Sequence, residues 1–181
     1  MTVMLFIDPG TTSGFAVGSM QDGDKPLITS GEWDLRRTRF DAWVMTPIKL
    51  KREMETLQKC SGFTHVGYEQ VRRHMSTDAA HLYGALVAAI QEFCVTKGIP
   101  FESVGVGTLK KFWTGKGNAK KPDMIRAARD RGFELDSDNE ADAIAGWHWL
   151  QESARCEPIT ISLTEAYYQM SENAARPEVA E

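Results

Sequence analysis

Three acidic residues stand where a carboxylate could do chemistry. Asp8 follows the large apolar residues 5–7 and precedes a turn-forming run of proline, glycine and hydroxyl residues, 9–14. Glu69 lies near the end of a strand-like stretch, and Asp142 lies inside an apolar helical stretch. Burying such a charge is costly unless a cation or hydrogen-bond donors meet it. Each acid could cap a turn or form a salt bridge separately, but the three together favour one shared cation site.

Two further polar residues extend this acidic group. Asp138 lies four residues before Asp142 and Asn139 lies three before it, so both fall on the same face of a helix. Clustered carboxylates raise one another's pKa values, and Mg²⁺ or Mn²⁺ relieves the repulsion because both ions take oxygen ligands. Two such ions can clamp the attacking water and the leaving oxygen of a phosphodiester. The pattern therefore predicts two-metal phosphodiester hydrolysis, provided that the fold brings these residues together.

The elements that must position these residues alternate between strands and helices. An initial hairpin is followed by predicted strands at 26–33, 63–71 and 100–106, and by predicted helices at 38–59, 78–97, 108–113, 122–131 and 138–152. Pro47 is expected to kink or delay the first helix, whose apolar stripe includes Phe40 and Trp43. This order predicts an α/β fold with a mixed five-stranded sheet flanked by helices.

The predicted helix 78–97 is apolar nearly all round. Such a helix is expected to be buried on more than one side, by a sheet and by a second subunit. Replacing Leu86 or Ile90 by aspartate should give monomers or insoluble protein.

Length and composition favour one soluble domain. The chain has 181 residues, of which 42% are hydrophobic and 25% charged, which suits a sizeable core. We expect residues 1–156 to form the domain and 157–181 to form an extension whose distal part is disordered. Cys60, Cys94 and Cys156 stand far apart without metal-ligand spacing, which indicates reduced thiols in a cytoplasmic protein. No membrane span or signal peptide is recognised, so no membrane partner is expected.

The charge distribution is more informative than the net charge of −4. Residues 107–131 carry eight basic and two acidic side chains, whereas residues 132–181 carry two basic and eleven acidic ones. A basic strip can bind phosphates while an acidic segment lowers the pI. The alternative is an ordinary solvated helix face.

Four stretches of the chain, taken in order and spacing, resemble the RuvC-type Holliday junction resolvases, especially those of phages and prophages. They are IDPGTTSGFAV (7–17), GYEQV (67–71), VGTLKKFWTGKGNAKKPDMI (106–125) and DNEADAIAGW (138–147). Each stretch alone is weak, but the four in order are specific. The resemblance covers residues 3–152.

The resemblance implies a ribonuclease-H-like fold and a homodimer in the cytoplasm of a bacterial or phage-infected cell. It also implies two Mg²⁺ or Mn²⁺ ions per active site and paired nicks in a four-way DNA junction. Position by position, Asp8, Glu69 and Asp142 match the family's metal-binding acids, and Lys110 and Lys121 resemble its two lysines near the scissile phosphate. The expected DNA contacts are Arg72, Arg73, His74, Lys111, Lys116, Asn118 and Lys120.

Two positions depart from the family. Arg72, followed by Arg73 and His74, stands where the bacterial resolvases carry an aromatic residue that acts on junction bases. Cationic side chains can still stack on bases or bind phosphates, but base preference is open. Asn139 stands where bacterial members often have an acid or a histidine. Since a neutral amide is a poorer cation ligand, charge favours Asp138 as the fourth ligand, and Asn139 remains the alternative at the family position.

Three other functions are compatible with parts of this sequence. The run DPGTTSG, residues 8–14, also resembles the phosphate loop of sugar kinases and actin-like ATPases, whose hydroxyls and glycines cradle phosphates. That family builds its cleft between two large domains, and this chain has the length of one. A broader branched-DNA or RNA-processing nuclease of the same fold is the closer alternative. A DNA-binding scaffold without activity is a third alternative, which the intact acids disfavour.

Overall fold

The structure is a computed structural model that describes residues 2–19, 26–135 and 137–156. Within these ranges the strands are β1 (Val3–Asp8), β2 (Thr12–Ser19), β3 (Ile28–Asp34), β4 (His65–Gln70) and β5 (Phe101–Gly105). The helices are α1 (Met45–Ser61), α2 (Thr77–Lys97), α3 (Val106–Thr114), α4 (Lys121–Arg129) and α5 (Asp138–Cys156). The expectations for 157–181 lie outside the described residues.

The five strands form one mixed sheet in the order β3-β2-β1-β4-β5, which confirms the predicted fold class. β1 and β2 are antiparallel, as are β2 and β3, while β1, β4 and β5 run parallel. It follows that β1, β3, β4 and β5 all end at the same edge of the sheet. This edge, called the carboxyl edge below, is where side chains that follow these strands gather.

Alternate residues of the strands feed two separate cores. Met4 and Phe6 of β1 pack with α3, α4 and α5 on one face of the sheet. Leu5 and Ile7 pack with α1 and α2 on the other face. The buried Trp147 indole of α5 donates a hydrogen bond of 3.0 Å to the Met4 carbonyl, which ties α5 to the middle of the sheet. The period of two along β1 thus selects which side chains can face α5.

The first helix starts later than predicted. It begins at Met45 instead of residue 38, with Pro47 in its first turn, where the missing N–H of proline costs no helical bond. Phe40 and Trp43, assigned to its apolar stripe, therefore lie before the helix and are exposed. The prediction was wrong there because periodicity counts apolar residues without locating the helix start.

Helix α2 begins one residue earlier than predicted, and the Ser76 hydroxyl caps it by accepting a bond from the Ala79 N–H. By length and composition α2 could cross a membrane, contrary to the expectation that no stretch could. Leu86 and Ile90, on its core side, pack against the face of the sheet that α1 covers. Both residues are fully buried within the chain, so they lie in its core and not on the face of α2 that a second subunit could contact. An aspartate at either position would disrupt that core, and the dimer contact of α2 stays a prediction.

Candidate active site

Asp8 and Glu69 lie side by side at the carboxyl edge because β1 and β4 run parallel in register. Ile7 is paired with Tyr68, so Asp8 and Glu69 are the next residues on the two strands. The alternation that turns Ile7 toward α1 and α2 turns Asp8 toward α5, on the same face as Phe6. Glu69 is buried and Asp8 is half-buried. The strand register thus delivers two carboxylates to the face that α5 covers.

Helix α5 can approach these strands closely because residue 14 is a glycine. Gly14 is paired with Asp8 across the β1–β2 hairpin, and a Cβ atom there would collide with the Asn139 carbonyl oxygen. Gly146 makes a similar close approach to the Phe6 ring further along α5. The first turns of α5 therefore lie against Asp8, and the Asp138 and Asp142 charges act on it. Sequence analysis predicted this convergence, and the structure shows it.

The gathered carboxylates change one another's protonation. Burial, followed by the charges of Glu69 and Asp142, raises the pKa of Asp8 well above its usual range. Burial first, and then the Asp142 charge, raises the pKa of Glu69 to about 7. Burial also raises the pKa of Asp142 to about 6, against an opposing effect of Lys110. A hydrogen bond between the carboxyl groups of Asp8 and Glu69 adds to the rise at Asp8 and opposes it at Glu69.

The donor set suits a hard divalent cation. Glu69 Oε1 and Asp142 Oδ1 are buried, and neither accepts a hydrogen bond from any described residue. Buried carboxylate oxygens without donors are costly, and oxygen-seeking cations such as Mg²⁺ and Mn²⁺ satisfy them. Within residues 2–19, 26–135 and 137–156, however, no three acidic, histidine or cysteine side chains are already arranged to hold an ion. The residues fit a metal by their chemistry, with Glu69 and Asp142 supplying buried carboxylate oxygens.

Two lysines flank the acidic group from α3 and α4. Lys110 is half-buried, and its charge lowers the pKa values of Glu69 and Asp142. Lys121 opens α4, and its ammonium forms an ion pair with Asp138 Oδ2. That contact, before all other effects, raises the pKa of Lys121. Both lysines singled out in the sequence therefore lie beside the carboxylates.

Asp138 and Asn139 are held differently at the start of α5. Asn139 donates a hydrogen bond of 2.7 Å from Nδ2 to Glu32 Oε1 on β3. The Ser137 hydroxyl donates to the same oxygen. Asp138, by contrast, acts electrostatically on Asp8 and Asp142. The side-chain amide of Asn139 is thus bound to β3, whereas the Asp138 carboxylate belongs to the acidic group.

The loop that follows β4, residues 71–76, carries the RRH sequence. Arg72 and Arg73 are exposed and line a cleft of about 600 Å³, whose other wall is the β5–α3 junction at Gly105–Thr108. His74 is half-buried, and the centroid of its ring lies 4.8 Å from the centroid of the Tyr83 ring. The cleft opens next to the end of β4, where Glu69 lies.

The basic strip 107–131 contains arginines that make contacts within the chain and lysines that lie at its surface. Arg126 forms a 2.7 Å ion pair with Asp123, and Arg129 donates to the Leu135 carbonyl. The Arg131 guanidinium stacks 4.0 Å from the Trp113 ring centroid. Lys111, Lys116, Asn118, Lys120 and Lys121 are exposed, and so are these three arginines. Lysines and arginines therefore both contribute positive charge to this surface, while the arginines also make these contacts within the chain.

Sequence analysis missed residues that support the site from a distance. The Tyr83 hydroxyl accepts a 3.0 Å bond from the Val71 N–H and donates a 2.9 Å bond to the Glu69 carbonyl, which fixes the end of β4. Glu32 fixes the start of α5 in a similar way. No local sequence signal marks either residue, because each interaction depends on how separate elements pack.

The phosphate-loop alternative is weakened by the local structure. Ser13 is fully buried, and its hydroxyl donates to the Gly10 carbonyl at 2.9 Å and accepts from the Gly10 N–H at 3.1 Å. This hydroxyl therefore closes its own turn and does not face a ligand.

Comparison with known proteins gives structural matches only. No protein-family profile and no curated protein sequence matches the chain. The structure of Thermus thermophilus RuvC in complex with a Holliday junction substrate matches with a TM-score of 0.69 at 18% identity, over 81% of this chain and 90% of that one. A second Thermus thermophilus RuvC structure matches with a TM-score of 0.66 at 17% identity, over 94% of this chain and 97% of that one.

A eukaryotic protein shares the same architecture. The yeast mitochondrial Holliday junction resolvase Ydc2 matches with a TM-score of 0.57 at 14% identity, over 79% of this chain and 75% of that one. At such identities the likeness establishes the fold. The chain has the RNase H-like fold of RuvC, as its resemblance to that family implied.

Proposed function

We propose that this chain is a divalent-metal-dependent endonuclease that resolves four-way DNA junctions by paired nicks. The observation that carries the proposal is the group of carboxylates at the carboxyl edge of an RNase H-like sheet. Asp8, Glu69 and Asp142 meet there, and two of their oxygens are buried without hydrogen-bond donors. Three separate structural roles would leave those two oxygens unexplained.

The metal ligands we propose are Asp8, Glu69 and Asp142, with Asp138 as the fourth. Two Mg²⁺ or Mn²⁺ ions bound by them would neutralise the scissile phosphate and activate the attacking water. Asp138 supports this role because its carboxylate acts on the group, while the amide of Asn139 is bound to Glu32. Tyr83 and Gly14 are positioning residues. Tyr83 holds the backbone of Glu69, and Gly14 lets the start of α5 approach the strands.

The lysines beside the carboxylates suit the charge of a reacting phosphate. Lys110 lies close enough to Glu69 and Asp142 to lower their pKa values, so its ammonium also faces the reaction centre. Lys121 can move from Asp138 to a phosphate oxygen, because its side chain is largely exposed. A cation placed where negative charge develops stabilises the transition state more than the bound substrate.

The proposed DNA contacts surround this centre. Arg72 and Arg73 line the cleft that opens beside β4, and His74 packs behind them on Tyr83. Lys111, Lys116, Asn118 and Lys120 are exposed on α3 and on the turn before α4. A four-way junction is the proposed substrate because the Thermus thermophilus RuvC of the same fold is bound to a Holliday junction. Symmetric nicks then require two copies of the chain.

The decisive test compares four-way, Y-shaped and linear DNA, with and without Mg²⁺, in a gel assay. We expect Mg²⁺-dependent paired nicks in the four-way junction, and Asp8→Asn should abolish cutting while binding persists. Efficient cutting of flaps, forks or RNA instead would support the broader nuclease of the same fold. Wild-type activity of Asp8→Asn would refute the proposed site. Junction binding without any cutting would identify a DNA-binding scaffold.

A further inference from the structure

The segment between β3 and α1, residues 35–44, has no part in the proposed reaction and carries an unusual surface. We call this segment, LRRTRFDAWV, the arm. The Phe40 side chain is 82% exposed and that of Trp43 is 46% exposed. Arg37 and Arg39 are exposed beside them, so the arm presents aromatic rings and positive charge together.

Hydrogen bonds give the arm a defined shape. The Asp41 N–H donates to the Thr38 carbonyl at 3.1 Å, and the Thr38 N–H donates to Asp41 Oδ2 at 2.8 Å. Arg39 and Phe40 are therefore the two central residues of a turn, at its tip. Lys49 of α1 holds the turn by donating to the Arg36 carbonyl at 2.6 Å and by pairing with Asp41. Because the backbone is already fixed, little ordering remains when a ligand binds.

The arm lies at the carboxyl edge of the sheet. It continues from the end of β3, and its Leu35 N–H donates at 2.8 Å to the carbonyl of Thr11, in the turn that follows Asp8. Arg37 and Trp43 line a cleft of about 300 Å³ with the N-terminal part of α2. That part of α2 directly follows the loop with Arg72 and Arg73. The arm is thus continuous with the surface proposed to bind DNA.

The chemistry of the arm suits unpaired bases. The Arg39 guanidinium carbon lies 4.5 Å from the Phe40 ring centroid, so one face of the ring makes a cation–π contact. Aromatic rings flanked by arginines bind single strands by stacking on bases while the cations contact phosphates. Arg36 is not available for this, since it forms a two-bond pair with Asp34. Arg37 and Arg39 supply the positive charge.

We propose that the arm binds a DNA strand beside the cut site, with Phe40 and Trp43 stacking on unpaired bases. The inference rests on the proposed function, because a four-way junction that opens at its crossover supplies such bases next to the acidic group. The residues 71–76 offer no exposed aromatic ring for this purpose, since His74 packs on Tyr83. The arm offers two exposed aromatic rings at this edge, in addition to the exposed Phe112 of α3.

The experiment measures binding in EDTA, where no cutting can occur, to a fluorescent single strand, a four-way junction and a blunt duplex. Phe40→Ala with Trp43→Ala should weaken binding to the single strand by about tenfold, with a much smaller effect on the duplex. The matched control is Leu27→Ala, since Leu27 is 75% exposed and precedes β3 at the opposite edge. Phe40→Ala alone, at the most exposed ring, guards against misfolding of the double variant.

The charge contribution has its own control. Arg37→Ala with Arg39→Ala should reduce the slope of log affinity against log salt by about 0.7 for each phosphate that the variant no longer neutralises. Lys59→Ala, in the last turn of α1, should leave the slope unchanged. Equal weakening on single strand and duplex would overturn the stacking role, as would wild-type affinity of Phe40→Ala and the double variant.

The outcomes separate the arm from the proposed function. If wild-type protein cuts junctions while the arm variants bind like wild type, the arm proposal fails and the nuclease stands. If the arm variants lose single-strand binding but the wild type cuts no DNA, the nuclease fails and the arm stands. A change in oligomeric state in Phe40→Ala, measured by sedimentation, would assign the arm to a protein contact and overturn the inference.

Discussion

The ammonium group of Lys121 is paired with the carboxylate of Asp138 across the start of α4 and α5. The pair joins a proposed phosphate-binding lysine to a proposed metal ligand. Lys121 could therefore contact either Asp138 or a phosphate, and Asp138 either Lys121 or a cation. Without substrate or cation, the pair neutralises both charges. A cation bound by Asp138 would free Lys121 to contact a phosphate, so the pair would couple metal binding to the availability of the lysine.

Asp138→Asn should raise the Mg²⁺ concentration needed for half-maximal cleavage by about tenfold, the scale expected when support of a metal site is removed. Its carboxylate acts on Asp8 and Asp142, so its loss removes charge from the group that holds the ions. The measurement is a Mg²⁺ titration of the cleavage rate on a four-way junction. Asn139→Ala is the matched comparison and should change this concentration less, because its amide is bound to Glu32.

The opposite result would reverse the assignment of the fourth ligand. If Asn139→Ala shifts the Mg²⁺ requirement and Asp138→Asn alters only the melting temperature, the family position is the functional one. Asp138 would then act as a helix-starting charge, worth under about 1 kcal/mol through the helix dipole.

Lys121→Ala should slow cleavage much more than it weakens junction binding. Its ammonium lies beside the acidic group, where it can stabilise charge that develops at the scissile phosphate. Lys116→Ala is the control, because Lys116 is exposed on the turn between α3 and α4. It should mainly weaken binding and lower the salt slope by about one unit at most. Single-turnover rates and equilibrium binding, measured on the same junction, separate the two effects. If both changes have equal, small effects on cleavage rate and binding, the basic strip is an ordinary solvated helix face without a role in the reaction.

The acidic centre could be predicted because its signals are local. Asp8 ends β1, Glu69 lies one residue before the end of β4, and the parallel register of these strands places them together. Asp142 was identifiable because a charge inside an apolar helix needs a partner. The sheet and the order of its helices followed from the alternation of strand and helix patterns.

The supporting interactions could not be predicted because they join distant elements. Glu32 and Asn139 are 107 residues apart, and their hydrogen bond depends on where β3 stops relative to β2. The exposure of Phe40 and Trp43 depended on the start of α1, which the apolar stripe placed seven residues too early. Residue types alone carry no information on either point.

Without divalent cations, Glu69→Gln should stabilise the protein at pH 8, and this gain should shrink toward pH 5. Burial and Asp142 raise the pKa of Glu69 from 4.5 to about 7, so the folded chain binds a proton that the unfolded chain lacks. Stability is therefore lost as pH rises through this range. The half-buried His148, whose pKa is lowered to about 4 by desolvation, has the opposite effect at acid pH. Comparing variant with wild type at each pH cancels the His148 contribution.

The measurement is the melting temperature in EDTA from pH 5 to pH 8, repeated with Mg²⁺. Mg²⁺ should raise the melting temperature of the wild type at pH 8, because an ion that binds only the folded state increases the free energy of unfolding. The melting temperature of Glu69→Gln should rise much less. Glu53→Gln on the exposed surface of α1 is the matched control. A Glu69→Gln protein no more stable than wild type at pH 8 would show that the carboxylates do not repel one another.

The outward face of α2 is our predicted two-fold contact, and Ala88→Arg should give monomers. Ala88 and Gly84 are exposed on α2, while Leu86 and Ile90 fill the core. A Cβ atom at Gly84 would meet nothing within 4 Å, so Gly84→Arg serves as a second variant that spares the core. Thr56→Arg on the exposed surface of α1 is the control for an added arginine. Sedimentation equilibrium at micromolar concentration measures the change.

Paired nicking connects this interface to the proposed reaction. Each copy carries a complete acidic group, because Asp8, Glu69 and Asp142 come from one chain. A monomeric Ala88→Arg protein should therefore still nick one strand of a junction but lose the coupling between the two cuts. A supercoiled plasmid with an extruded cruciform distinguishes these outcomes, since uncoupled cuts give nicked circles and paired cuts give linear DNA. A wild-type protein that is monomeric at micromolar concentration, or an Ala88→Arg protein that still dimerises and linearises the plasmid, would refute this role for α2.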